Sequence, residues 1–372
     1  MVENIGYVGV DHHHRDPYLE SLAQLPVEVM AVCEPDPSYD VDAIDSLQEV
    51  RQYGDAETLI ADADVDALWV TLPNRDTPEV IRAAADADVH VYTEKPAART
   101  AGELQPVVDA VESSEATVCL SYTWRWHPLA QELKARFERG YFGDLLSFDA
   151  RFVASALEYR NADHYLYDAD ASRGGIVQWL GVHWLDLLSW LLGTDRIVRV
   201  NASLSSSSPD VDIDVEDGAT IKLETASGAV GSLQCGYYLR EGRYDTRIDL
   251  YGTDAKSSWD PMGPTFGFDG ETTLELDSRR EADASTPNRS ITHSYDPCPG
   301  YGGRWGLEFI EDFLDACDGK RPVPVDVHDG VRVLELLDAV YESAETDRWV
   351  PVDSGGSNPG SPDAERTESV TD

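Results

Sequence analysis

Through the first 122 residues, short apolar runs alternate with segments of helical pattern, and few folds accommodate that rhythm. Residues 3–10 (ENIGYVGV), 27–33 (VEVMAVC), 67–72 (ALWVTL), 89–93 (VHVYT) and 117–121 (TVCLS) read as short buried strands. Helices are expected after the DHHHRDP turn, near 42–51, at 78–87 and at 101–113. Thr77, Pro78 and Glu79 give the third of these a capping hydroxyl, a proline at the first helical position and a first-turn acid. Strand–helix alternation with right-handed crossovers makes residues 1–122 a doubly wound domain on a parallel sheet.

Beyond Pro128 the rhythm changes. Helix 129–139 and the very apolar helix 176–192 bracket a strand at 145–154. Alternating segments at 197–204, 218–224, 229–239, 246–251 and 272–276 then predict antiparallel, meander-like structure, and helices at 304–318 and 328–346 follow. Residues 123–352 therefore read as a second, α+β domain. A length of 372 residues agrees with two cores, since single cores stop growing near roughly 250–300 residues. The last stretch, 353–372, is polar and rich in Gly, Pro and Ser, and is expected to be disordered.

Charge narrows the partners. Seventy acidic residues against 29 basic ones give a net charge of −41. Such a chain repels nucleic acid and anionic membranes, so neither is an expected partner. Its self-repulsion is relieved where salt shortens the Debye length to ~3 Å at 1 M, a design suited to molar intracellular salt and resembling proteins of halophilic archaea. No apolar run is long enough to span a bilayer, and the opening Met1-Val2-Glu3-Asn4 has no signal-peptide pattern, so a cytoplasmic location is expected. Cys33, Cys119, Cys235, Cys298 and Cys317 are scattered and odd in number, which fits reduced thiols rather than a disulfide or zinc framework.

In a doubly wound domain, ligands bind beyond the carboxyl ends of the strands. Gly9, at the first such end, can supply a tight turn. Glu34 ends the second strand, where a carboxylate can accept from both hydroxyls of a ribose and repel a 2′-phosphate; the alternative is a solvated turn acid. Glu94-Lys95-Pro96 ends the fourth. An ammonium there can stabilise an alkoxide or donate a proton to a carbonyl, and Lys95 is one of only five lysines; the alternative is a surface ion pair. His183 stands on the apolar stretch GGIVQWLGVHWLD (174–186), as a catalytic or a structural histidine, with Asp186 one turn on to orient it.

In this order, the segments VCEPDP (32–37), LPNRDT (72–77), HVYTEKPAA (90–98), YTWRWHP (122–128) and the GG…GVHWLDLL helix (174–188) resemble the glucose–fructose oxidoreductase/inositol dehydrogenase (Gfo/Idh/MocA) family. The resemblance runs to about residue 352. It implies a Rossmann domain followed by an open, mostly antiparallel sheet that often serves oligomerisation. It implies a nicotinamide cofactor, here NAD in preference to NADP because of Glu34, and a sugar or polyol substrate. By the same resemblance, Gly9, Glu34, Pro73, Asn74, Glu94 and Lys95 contact the cofactor, and Lys95 and His183 flank the reacting carbon. Trp124, Arg125 and His127 join His183 as candidate substrate contacts, although tryptophans at a domain junction also serve packing.

Two departures from the family pattern stand out. Asp11 and His14 occupy positions where the G-x-G-x-x-G turn has its second and third glycines, and the run His12-His13-His14 is expected to donate to phosphate rather than hold a metal, because adjacent side chains diverge. Trp179 stands four residues before His183, where many relatives carry an aspartate, leaving His183 to work with Lys95 alone or with Asp186. The leading expectation is hydride transfer between NAD and a hydroxyl carbon. The alternatives are internal redox in a hydrolase- or lyase-type reaction, and a non-catalytic sensor that keeps the fold.

Overall fold

The computed structural model describes residues 1–161, 164–208, 211, 213–263 and 270–352; the tail expectation for 353–372 lies outside them. The first sheet comprises β1 (Asn4–Val8), β2 (Glu28–Cys33), β3 (Arg51–Tyr53), β4 (Ala67–Val70), β5 (His90–Thr93) and β6 (Val118–Leu120). Its order is β3-β2-β1-β4-β5-β6 with every pair parallel, the doubly wound dinucleotide-binding arrangement. Helices α1 (Arg15–Leu22), α2 (Ala56–Asp62), α3 (Thr77–Asp86) and α4 (Ala101–Glu112) supply crossovers. Central strands are apolar because both faces are covered: Ile5, Tyr7, Leu68, Trp69 and Val91 are fully buried, and Trp69 stacks on Tyr92 at 3.9 Å.

Two local expectations need correction. Residues 42–51 form no α-helix; they make two 3₁₀ turns, Val41–Ala43 and Asp45–Leu47, and then enter β3. The buried residues Val41, Ile44 and Leu47 recur every third position, the spacing at which 3₁₀ side chains eclipse. The Thr77 hydroxyl does not cap α3 but turns back to the carbonyls of Leu72 (3.2 Å) and Pro73 (3.0 Å), tightening the loop after β4.

The second half contains α5 (Pro128–Glu138), β7 (Leu145–Ser155), α6 (Ala169–Ser172), α7 (Val182–Leu192), β8 (Ile197–Ser205), β9 (Gly218–Thr225) and β10 (Val230–Leu239). It continues with β11 (Asp245–Gly252), β12 (Ala255–Trp259), β13 (Glu271–Ser278), β14 (Asn288–Ser294), α8 (Gly303–Cys317), α9 (Val327–Thr346) and β15 (Val350–Pro351). The nine strands run β14-β13-β12-β11-β7-β10-β9-β8-β15, antiparallel except for the β7–β10 pair. Alternating burial along β9 and β13 shows that each packs one face inward. The apolar helix expected at 176–192 is α7 preceded by a π turn at Val177–Gly181, and α7 is buried on nearly all sides against α5, α9 and β7.

Candidate active site

At the carboxyl end of β1, Gly9 has φ +82°, and a Cβ there would meet the Thr71 backbone at 3.0 Å. Glycine is therefore required for the chain to turn so close to β4. Glu34 braces this turn from β2: Oε2 accepts from the N–H groups of Val10 (2.7 Å) and Asp11 (3.0 Å), and Oε1 accepts from Asp36 (3.0 Å). The Asp11 side chain is exposed. The backbone N–H groups of His12 and His13, just before α1, have no acceptor among the described residues.

Glu94 and Lys95 end β5. Glu94 Oε1 receives Tyr18 Oη (2.5 Å) and His14 Nδ1 (2.7 Å), and its Oε2 receives Ser121 Oγ (3.2 Å) and the Lys95 N–H (3.0 Å). Burial opposes its charge, but the His14 bond and Lys95 outweigh this and hold the carboxyl well below the usual range. Lys95 Nζ donates to the Trp179 carbonyl (3.2 Å) and lies 4.0 Å from Glu94. Burial pushes this ammonium down to about 8, against the opposing pull of Glu94. Asn74 donates to the Pro96 carbonyl (2.5 Å), joining the loops after β4 and β5, and its Oδ1 is buried without a partner among the described residues. Pro73, whose carbonyl receives Asp76 and Thr77, sets the turn that carries it.

The π turn brings the Trp179 carbonyl to Lys95 and places His183 in the first turn of α7. Burial, then the nearby Lys95, depresses the His183 imidazolium well below its ordinary range, and its Nδ1 is buried with no partner among the described residues. Lys95, His183, His13, His14, Trp124 and Trp179 line one crevice of about 320 Å³. Among the described residues, none that lines it is a carboxylate.

Several sequence expectations change here. Asp186 does not orient His183: its carboxylate is chelated by Arg125 (Nε to Oδ2 3.0 Å, Nη2 to Oδ1 2.5 Å), whose Nη1 also reaches Asp329 (3.0 Å). Arg125 is thus a buried structural cation and does not line the crevice. His127 is fully buried as the cap of α5, its Nδ1 accepting from Leu129 (3.1 Å) and its Nε2 meeting Tyr295 Oη (3.1 Å), so it too is withdrawn from substrate contact. The side chains of His12, His13 and His14 do not diverge. The turn before α1 gathers their rings to centroid distances of 3.9–5.1 Å, with candidate ligand atoms within 4.8 Å of one another.

Sequence reasoning missed Arg160 and Tyr301. Arg160 lies over the Trp179 (5.2 Å) and Tyr237 (4.6 Å) rings at the crevice. Tyr301 stands 4.5 Å from the His14 ring between Gly300 (φ +104°) and Gly302 (φ +73°). The glycines flanking this tyrosine were the available signal; Arg160 had none.

These features fit a dinucleotide. A turn only glycine can make, uncommitted N–H groups before a helix, a bracing acid on β2 and orphaned polar atoms on Asn74 and His183 surround the strand ends where such a ligand binds. Fold and site together define an oxidoreductase built on a dinucleotide-binding domain. The family model described as "Oxidoreductase family, NAD-binding Rossmann fold" matches residues 4–122, and "Oxidoreductase family, C-terminal alpha/beta domain" matches 134–352. The chain belongs to the Gfo/Idh/MocA oxidoreductase family.

Similar curated proteins include D-xylose 1-dehydrogenase (NADP(+)) 2 of Haloferax volcanii, 28% identical over 327 residues, covering 88% of this chain and 92% of the relative. Levoglucosan dehydrogenase of Pseudarthrobacter phenanthrenivorans is 24% identical, covering 88% and 90%. A solved levoglucosan dehydrogenase in complex with NADH and L-sorbose shares the fold at a TM-score of 0.80 and 22% identity, covering 94% of this chain and 99% of that one.

Proposed function

We propose that this protein is a dehydrogenase that moves a hydride between a nicotinamide cofactor and a hydroxyl or carbonyl carbon of a sugar or polyol. The observation that carries this reading is the meeting in one crevice of the buried Lys95, held by the Trp179 carbonyl, and the buried His183, whose Nδ1 has no partner among the described residues. The cofactor, when bound, supplies the hydride donor or acceptor. Gly9, Glu34, Pro73, Asn74 and Glu94 line or brace its site; Glu34, whose charge opposes a 2′-phosphate, favours NAD over NADP.

The chain's own residues handle the proton. His183, uncharged, accepts the hydroxyl proton as a substrate is oxidised, and returns it in the reverse direction. The Lys95 ammonium stabilises the negative charge that develops on the same oxygen. The Trp179 carbonyl holds that ammonium in place, which a side-chain aspartate at position 179 would otherwise do. Trp124 and Trp179 supply flat apolar faces suited to a sugar ring. The open sheet face supports a homo-oligomer, and the charge of −41 supports work in concentrated cytoplasmic salt. No helix among the described residues is long and apolar enough to cross a membrane.

The test is a fluorescence titration with NADH and NADPH in multimolar KCl, followed by NADH formation on xylose, levoglucosan and inositol. Saturable NADH binding with turnover of at least one sugar or polyol is the expected result. Failure to bind either nucleotide overturns the reading, and ligand binding without turnover would favour a sensor.

A further inference from the structure

The altered loop gains a partner from the second half of the chain. His164 lies between β7 and α6, and its ring sits 5.9 Å from that of His12 and 5.3 Å from that of His13. We propose that His12 and His164 form a hydrogen-donor clamp for the cofactor's pyrophosphate, replacing the close backbone approach that two missing glycines would have allowed. The inference rests on the dehydrogenase reading above.

The backbone fixes which nitrogen of each ring carries the proton. His12 Nδ1 accepts from the His14 N–H (3.1 Å), and His164 Nδ1 accepts from the Leu166 N–H (3.3 Å). A neutral imidazole accepting at Nδ1 must carry its hydrogen at Nε2. Burial keeps both rings uncharged near neutrality, lowering His164 to about 4 and His12 well below its ordinary range. Both therefore offer Nε2–H donors. His164 Nε2 is buried without a partner among the described residues, a state that is unfavourable until an acceptor arrives.

The backbone N–H groups of His12 and His13 add two more uncommitted donors beside them. Of the carboxylates beside them among the described residues, Glu34 is engaged on the turn and Glu94 on Tyr18, His14 and Ser121, while that of Asp11 is exposed. A phosphate oxygen is the acceptor this donor set lacks. Uncharged donors also keep their strength in molar salt, where a lysine's long-range attraction is screened. The same tautomer argues against a metal, because a nitrogen bearing hydrogen has no lone pair to give.

The experiment is NADH titration of the full chain in multimolar KCl, with His164→Leu, His164→Gln, His12→Leu and His12→Gln. Each leucine variant should weaken NADH binding by about tenfold or more, whereas glutamine, which restores an N–H near the Nε2 position, should stay within about threefold of wild type. Adenosine, which has no phosphate, should bind wild type and leucine variants alike. Leucine variants that bind NADH like wild type would sink the clamp and leave the dehydrogenase reading standing. A parallel loss of adenosine binding would assign the histidines to packing instead. NADH binding that disappears on dialysis against EDTA, returns with Zn²⁺ and is lost in the glutamine variants would make the cluster a metal site. A wild-type chain that binds no NADH would overturn both clamp and reading.

Discussion

The crevice holding Lys95 and His183 is not the largest concavity in the molecule. Another, of about 640 Å³, lies along the C-terminal half of α7 and is lined by Arg125, Lys134, Trp190, Asp329 and Arg332. Both contain cations, but Arg125, Lys134 and Arg332 of the larger cavity are answered. Arg125 chelates Asp186 and Asp329, Arg332 pairs with Asp329, and Lys134 donates to the Trp190 carbonyl (2.7 Å). In the crevice, Lys95 donates to the Trp179 carbonyl (3.2 Å) with its nearest carboxylate among the described residues 4.0 Å away, and His183 Nδ1 has no partner among them. Volume does not mark chemistry here; unspent hydrogen-bonding capacity does.

That contrast can be broken in four ways. Lys95→Ala should lower turnover by about 10²–10⁴-fold while leaving the melting temperature nearly unchanged; unchanged turnover would end the assignment. Arg125→Leu should do the reverse. It leaves Asp186 buried without its partner, so denaturant unfolding should report a loss of about 3–5 kcal/mol, while turnover per folded molecule stays within a few fold.

A pH profile sharpens the comparison further. Lys95 acts as an ammonium and His183 as a neutral base, so oxidation of a hydroxyl substrate should decline by up to about tenfold per unit above pH about 8. No matching inflection near 6.5 is expected from His183, which stays neutral there. The smallest effect is expected for Trp179→Phe. Lys95 is held by the peptide carbonyl at that position, so turnover should change by less than about tenfold, and a larger loss would show that the indole itself positions substrate.

Most of the first sheet was legible because parallel strands buried on both faces must be apolar throughout. The strands that escaped reading carry no such pattern. β12 (AKSSW) lacks apolar alternation, and β14 (NRSITHS) is a polar edge strand half exposed to water. At the site, Gly9, Glu34 and Lys95 were readable from their position at strand ends. The partners of Asp186 and His127 were not, since each is chosen by a residue distant in sequence: Arg125 for the first, Tyr295 for the second. Trp179 misleads for a different reason. A motif compares side chains, whereas the group that meets Lys95 is a backbone carbonyl turned by a π segment.

The placement of β7 also dictates how the second sheet can assemble in time. β8, β9 and β10 are a consecutive meander, and so are β11 to β14, but β10 and β11, adjacent in the chain, are held apart by β7. Ser147 of β7 pairs with Val230, and Phe152 with Thr246, across long stretches of intervening sequence. The two ribbons can zip from local turns, yet the sheet becomes continuous only when the earliest-synthesised strand inserts between them, a step burdened by loop-closure entropy. Pulse-labelling hydrogen exchange should find β9 and β12 protected before β7. The strand at the centre of the finished sheet is then the last to arrive, and the refolding rate of the whole half is set by that single seam.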